Sequence, residues 1–208
     1  MTSSARFAAR IVAAAIAAVL ALGACGGSSS QRPTGGEHLV VAAAPDGWTA
    51  HDQGAIELST PASWTPFTPD AAEGAASTGS TSYGVRAPSA ADGSGSGAFT
   101  VLSSKPKEDA EHASTTARRI ALTTLGALDP VEEELSWPRA KAAAYLTYHA
   151  KLPMPSGPDV TFRYEVLVLD LADGSQAVVT VVGPVVGYDD ADLHAVLATT
   201  TISTKGPR

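Results

Sequence analysis

The sequence predicts an α+β fold: a mostly antiparallel β-sheet with a long helix and a C-terminal helix packed on it. Three features carry that expectation. Residues 140–152, 160–171 and 176–182 are apolar or alternating runs of strand length, the last two joined by the turn Ala172-Asp173-Gly174-Ser175. Residues 110–125 instead repeat small and apolar side chains at helical spacing. The order of the runs is strands, one long helix, three long strands and a closing helix, which gives one sheet with helices laid on it rather than alternating βαβ units.

Taken in order, His38–Ala44 is a short apolar run before the turn signal Pro45-Asp46-Gly47. Ala55–Ser59 reads as a strand that ends at Pro61, with Trp64 just beyond it. Residues 68–80 read as loop. Ser82–Ala87 and Ala98–Ser103 read as two strands joined through the Gly/Ser-rich segment 89–97. Lys105-Pro106 is the expected opening of the helix, since a proline in the first turn has no N–H to waste. Ala110, Ala113, Ala117, Ile120, Ala121, Thr124 and Leu125 form its inner face, Glu108, Asp109 and Glu111 suit its positive end, and Gly126 stops it. Ala140–Leu152 has the composition of a helix but the alternation of a strand. It is assigned as a strand, with Lys141, Tyr145, Thr147 and His149 on one face and Ala142, Ala144, Leu146 and Tyr148 on the other. Asp189 or Asp190 is the expected cap of the last helix, with Leu193, Val196 and Leu197 inward.

The N-terminus has a different character. Arg6 and Arg10 precede Ile11–Leu22, a run with no polar side chain. That run is shorter than the about 17–25 residues of a spanning helix and fits the about 7–15 of a signal-peptide core. Gly23 and Ala24 are small, as a cleavage site requires, and the only cysteine, Cys25, follows them. Residues 26–37 are rich in Gly, Ser, Pro and Thr and read as a tether. Domain boundaries follow: 1–24 signal peptide, 25–37 modified Cys and linker, 38–208 one α+β domain, with no internal repeat.

Leu22-Gly23-Ala24-Cys25 resembles a bacterial lipobox. The resemblance implies cleavage between Ala24 and Cys25, lipidation of Cys25, and attachment to the extracytoplasmic face of the cell membrane. One acyl chain holds only marginally, whereas two hold firmly. With Cys25 consumed by lipid, no intramolecular disulfide is available, so the domain relies on its core.

The chain carries 14 Lys+Arg against 21 Asp+Glu, a formal net charge of −7. Residues 1–24 hold two of those bases and none of the acids, so the remainder is more acidic still. Such a surface gains nothing from phosphate backbones, which excludes nucleic acid as a natural partner.

No constellation for chemistry is complete. None of the five histidines pairs with another at i, i+4. Asp189-Asp190-Ala191-Asp192 lacks the spacing and the later Glu of a calcium loop. Ser104-Lys105-Pro106-Lys107 matches S-x-x-K, but the chain has neither Asn nor K-T-G. Gly93–Gly97 lacks the Lys-Ser/Thr of a phosphate loop. Trp48, Trp64 and Trp137 are expected in packing, Trp64 against the sheet near the long helix. The succession AIELSTPASW, two strands, a helix near Pro106, RAKAAAYLTYHA, TFRYEVLVL, GSQAVVTVV and DDADLHAVLATTTIS resembles the sandwich of the photosystem II extrinsic protein PsbP and of DcrB-like and LpqN-like lipoproteins. Pro61-x-x-Trp64 is similar to the P-x-G-W element of that group, with Ser63 in place of Gly. The resemblance implies a fold and an envelope location and brings no catalytic residues.

The expected function is therefore a membrane-anchored, non-enzymatic accessory or partner-binding lipoprotein of the cell envelope, without metal or cofactor. The expected contact surface is the strand face with Lys141, Tyr145, Thr147 and His149, or the loop rim at 71–80 and 89–97. The alternatives are a carrier or sensor of an apolar small ligand held between helix and sheet, and a hydrolase. A His within hydrogen-bond reach of a Ser, Asp or Glu inside a cleft would favour the hydrolase.

Overall fold

A computed structural model describes residues 38–69, 79–88, 94–154, 157–189 and 192–203. The lipobox, Cys25, the linker and most of the two loop segments lie outside the described residues. Ten strands and two helices are present among them. β1 (Trp48–Gln53), β2 (Ile56–Pro61) and β10 (Thr201–Ile202) form a small sheet in the order β1-β2-β10. β3 (Thr65–Phe67), β4 (Ser80–Arg86), β5 (Gly97–Ser103), β6 (Leu128–Leu135), β7 (Ala142–Leu152), β8 (Val160–Asp170) and β9 (Gln176–Pro184) form a large sheet in the order β3-β4-β5-β9-β8-β7-β6. Every pairing is antiparallel. The helices are α1 (Ala110–Thr124) and α2 (Leu193–Ala198). This is the α+β class expected, and in the segment 140–152 that composition drew toward helix, Ala142–Leu152 is strand.

Strand alternation sends successive side chains to opposite faces. Even-numbered residues of β7 and β8, such as Leu146, Tyr148, Tyr164 and Val166, share one core with Ala110, Ala113, Ala117 and Ala121 of α1. Odd-numbered ones, such as Ala143, Tyr145, Leu167 and Leu169, share a second core with Ile56 and Leu58 of β2 and Leu193, Val196 and Leu197 of α2. The large sheet is thus the middle layer, with α1 on one face and the small sheet plus α2 on the other.

Several details differ from the sequence reading. α1 starts at Ala110 rather than near Pro106: the Asp109 side chain accepts the His112 N–H at 3.0 Å as N-cap, and Asp170 of β8 accepts the Ala110 N–H at 2.9 Å. Thr124, expected on the inner face, is exposed, since Ala121 is the last buried residue of the helix. Gly126, at φ +61°, takes the left-handed turn after the helix. The residue at the N-cap of α2 is Asp192, at φ +51°, and its side chain makes no capping bond there. Trp64 is buried as expected but in the core with β2 and α2, on the face opposite α1. β1 and β6 were not read as strands. Both are edge strands, whose partly exposed side chains carry little apolar signal.

Candidate functional site

The strand β7 does carry Lys141, Tyr145, Thr147 and His149 near or on its odd face, but they do not make one open surface. Lys141 precedes the strand and is exposed, whereas Tyr145 is 3% exposed beneath the small-sheet layer. Only Thr147 and His149 reach the part of that face where the cover thins, and both are half-buried. The correction has a simple cause. The odd face is one face in projection, yet Tyr145 packs into the core shared with β2 and α2, whereas Thr147 and His149 stay partly open.

Along this stretch register brings β8 partners alongside: Thr147 lies opposite Glu165 and His149 opposite Arg163. Glu165 is fully buried and ion-paired with Arg163, while its other oxygen lies 2.9 Å from Nδ1 of His194 on α2. The Arg163 guanidinium stacks 4.8 Å from the centre of the Tyr188 ring and lies 3.9 Å from Asp189. Burial works against the Arg163 charge, but the neighbouring Glu165, Tyr188 and Tyr145 outweigh it and raise its pKa. Burial, and next the Glu165 charge, pushes the Tyr188 and Tyr145 phenols well above their ordinary value, so both stay neutral. A buried carboxylate without a partner is very costly, and Arg163 and His194 serve that need. Sequence reasoning missed this cluster. Its signal was present in TFRYEVLVL, where Arg163 and Glu165 stand at i, i+2 on a face that continues as Leu167 and Leu169.

His194 and Glu165 meet the distance test for an acid–base pair, but the carboxylate is bound from both sides beneath α2. Neither residue lines the groove described next. Three other histidines have separate partners: His51 Nε2 and Thr60 Oγ1 are 2.8 Å apart, His112 pairs with Asp109, and His38 Nδ1 is 2.7 Å from Glu133. Among the described residues, no group of three or more His, Cys, Asp or Glu could hold a metal ion.

The groove, about 380 Å³ in volume, opens at the other end of the small sheet. Its walls include Val41, Trp137, Pro138 and Ile202, with Glu57 and Arg139 at its polar rim. Trp137 Nε1 donates to the Thr200 carbonyl at 3.2 Å. The Arg139 guanidinium donates to the carbonyls of Ile202 and Ser203. These two side chains therefore hold the side of β10 that no strand pairs. Arg139 sits in a tight turn closed by the Ala140 N–H on the Trp137 carbonyl, at φ +70°. A non-glycine residue there costs about 1–2 kcal/mol, offset by the two carbonyls its side chain binds.

The fold has similar solved structures. LpqN of Mycobacterium tuberculosis, described as involved in cell envelope biogenesis, matches at 16% identity and TM-score 0.49, over 75% of this chain and 90% of that one. The cyanobacterial PsbP of Synechocystis matches at 13% identity and TM-score 0.46, over 88% of this chain and 99% of that one. The Ran-binding protein Mog1p of Saccharomyces cerevisiae matches at 14% identity and TM-score 0.44, over 74% and 95%. At these identities no residue role passes from one chain to another. No family model and no curated protein matches the sequence.

Proposed function

We propose that this protein is a lipid-anchored, extracytoplasmic accessory module that binds a partner in the cell envelope and performs no chemistry. Residues 1–24 are its signal peptide, Cys25 its lipidated first mature residue, 25–37 its tether and 38–208 its single domain. The observation that carries the reading is the run Leu22-Gly23-Ala24-Cys25 after a short apolar segment.

Thr147 and His149, beside Arg163, are the part of the expected contact surface that reaches solvent, and Lys141 supplies an exposed cation at the far end of the same strand. The Glu165 carboxylate is held by Arg163 and His194, which suits a structural support more than a site that must exchange protons. The alternative of an apolar ligand between helix and sheet meets an interface filled by the chain's own Leu146, Tyr148 and Tyr164 under the α1 alanines.

Labelling cells with a palmitate analogue, followed by mass spectrometry of the mature N-terminus, tests the anchor. The expected product is diacylated or triacylated Cys25, and Cys25→Ala abolishes the label. An unmodified N-terminus downstream of Cys25 would refute the reading.

A further inference from the structure

We infer that the groove side of the domain, the side bearing Val40, Val41 and the Trp137–Ala140 turn, lies against the bilayer; the inference rests on the lipid anchor proposed for Cys25.

Three contacts fasten the first described residues to the fold. His38 Nδ1 is 2.7 Å from Glu133 of β6, Leu39 is 2% exposed in the core with β2 and α2, and the Ala42 N–H donates to the Ala198 carbonyl at 2.8 Å. The chain between lipid and domain therefore ends at His38, not at β1. Residues 25–37 reach at most about 45 Å fully extended, and about 20 Å on average if they behave as a Gly/Ser-rich coil. Val41, a few residues along the fastened segment, is a groove wall. An anchor with a mean span of about 20 Å, attached at this point, biases that side toward the lipid without forcing it, and the surface there decides.

The surface found there suits contact with a bilayer. Val40 is 66% exposed and Val41 39%, although they adjoin a fully buried leucine. Pro138 is exposed beside them, and Ile202 is half-buried in the same groove. Lys141 is exposed just after the turn, so its long stem can lie along apolar surface with the charge at headgroup level. The opposite end of the molecule is marked by Val186, 93% exposed in a turn after β9. β9 ends at Pro184, which pairs through Phe162 of β8 with Ala150 of β7. The groove turn instead enters β7 at Ala142, about 27 Å away along the strand at ~3.4 Å per residue.

The lipidated full-length chain, reconstituted into vesicles of phosphatidylethanolamine and phosphatidylglycerol, decides the matter. Because Cys25 is the sole cysteine and is acylated, Val41→Cys, Pro138→Cys and Val186→Cys each present one thiol for an environment-sensitive fluorophore. Flotation is read first: protein that does not float with vesicles refutes the lipid anchor itself. For protein that floats, doxyl-labelled lipid should quench the Val41→Cys and Pro138→Cys probes several-fold more than the Val186→Cys probe. Equal quenching at the three positions, or quenching confined to Val186→Cys, overturns the orientation. A blue shift at Val41→Cys without quenching by lipid also overturns it and points to a protein in the groove.

Discussion

The two faces of the large sheet solve the same packing problem in opposite ways. On the α1 face the cover is small and the sheet is large: Ala110, Ala113, Ala117 and Ala121 sit over Phe99, Leu146, Phe162 and the stacked pair Tyr148–Tyr164, whose ring centres are 4.9 Å apart. On the other face the sheet mixes small residues such as Ala98, Ala143 and Ala177 with Tyr145, Leu167 and Leu169, and the cover adds bulk of its own in Ile56, Leu58, Trp64, Tyr188 and Leu197. Interiors fill to a fixed density, so bulk removed from one side of an interface must appear on the other. A single helix of alanines can approach a sheet closely, whereas a short sheet and a six-residue helix must reach it with long side chains.

Opposite kinds of substitution should therefore break the two faces. Trp64→Ala truncates the cover of the small-sheet face and should cost about 3–5 kcal/mol, read as a lowered urea midpoint with an unchanged slope. An unaltered midpoint would remove Trp64 from the core. On the α1 face little can be truncated and enlargement is the damaging change: Ala117→Leu should cost about 1–3 kcal/mol by overpacking, while Ala117→Ser is milder. Equal tolerance of Leu at Ala117 and at exposed Thr124 would show that α1 stands off the sheet. Asp109→Ala removes the α1 N-cap and should cost about 1 kcal/mol, with Asp109→Asn recovering most of it.

The smallest effect is a pH dependence on the small-sheet side. Burial holds His51 below its ordinary value of 6.5. The unfolded chain then takes up this proton more readily than the folded one as pH falls through 6.5, so His51 subtracts stability below that pH and nothing above it. The melting temperature of His51→Gln relative to the unsubstituted protein should therefore rise as pH drops from 7.5 toward 5.5. A constant difference across that range would show that His51 is solvated. His112 acts in the other direction: its hydrogen bond with Asp109 raises its pKa, so its contribution is present below 6.5 and is lost as pH rises through the raised value.

Elements with a strong internal period were legible from the sequence. β7, β8 and β9 are buried on both faces and α1 has a continuous alanine stripe, so their signal does not depend on partners distant in sequence. β6 was missed because Asp129, Pro130 and Glu132–Glu134 leave no alternation to read. Trp64 was correctly placed inside but on the wrong face, since nothing local to Pro61-Ala-Ser-Trp64 records which layer β2 joins. The groove was invisible for the same reason: Val41, Glu57, Trp137 and Ile202 come from four distant stretches. The ion cluster was half legible. Arg163 and Glu165 betray themselves within one strand, but His194 reaches Glu165 only through the docking of α2.

The edges of the large sheet bear on what happens when copies of the chain are crowded together. An exposed edge strand is an invitation to pair with a neighbour's edge and so to polymerise. At one border β3 has three residues, one of them Pro66. At the other, β6 has Pro130 and three successive glutamates, with Glu132 accepting from Thr115 at 2.9 Å and Glu133 paired with His38. Two copies of β6 brought edge to edge would set these carboxylates against one another, so the sheet terminates rather than growing from molecule to molecule. Concentrating the protein should therefore leave it dispersed.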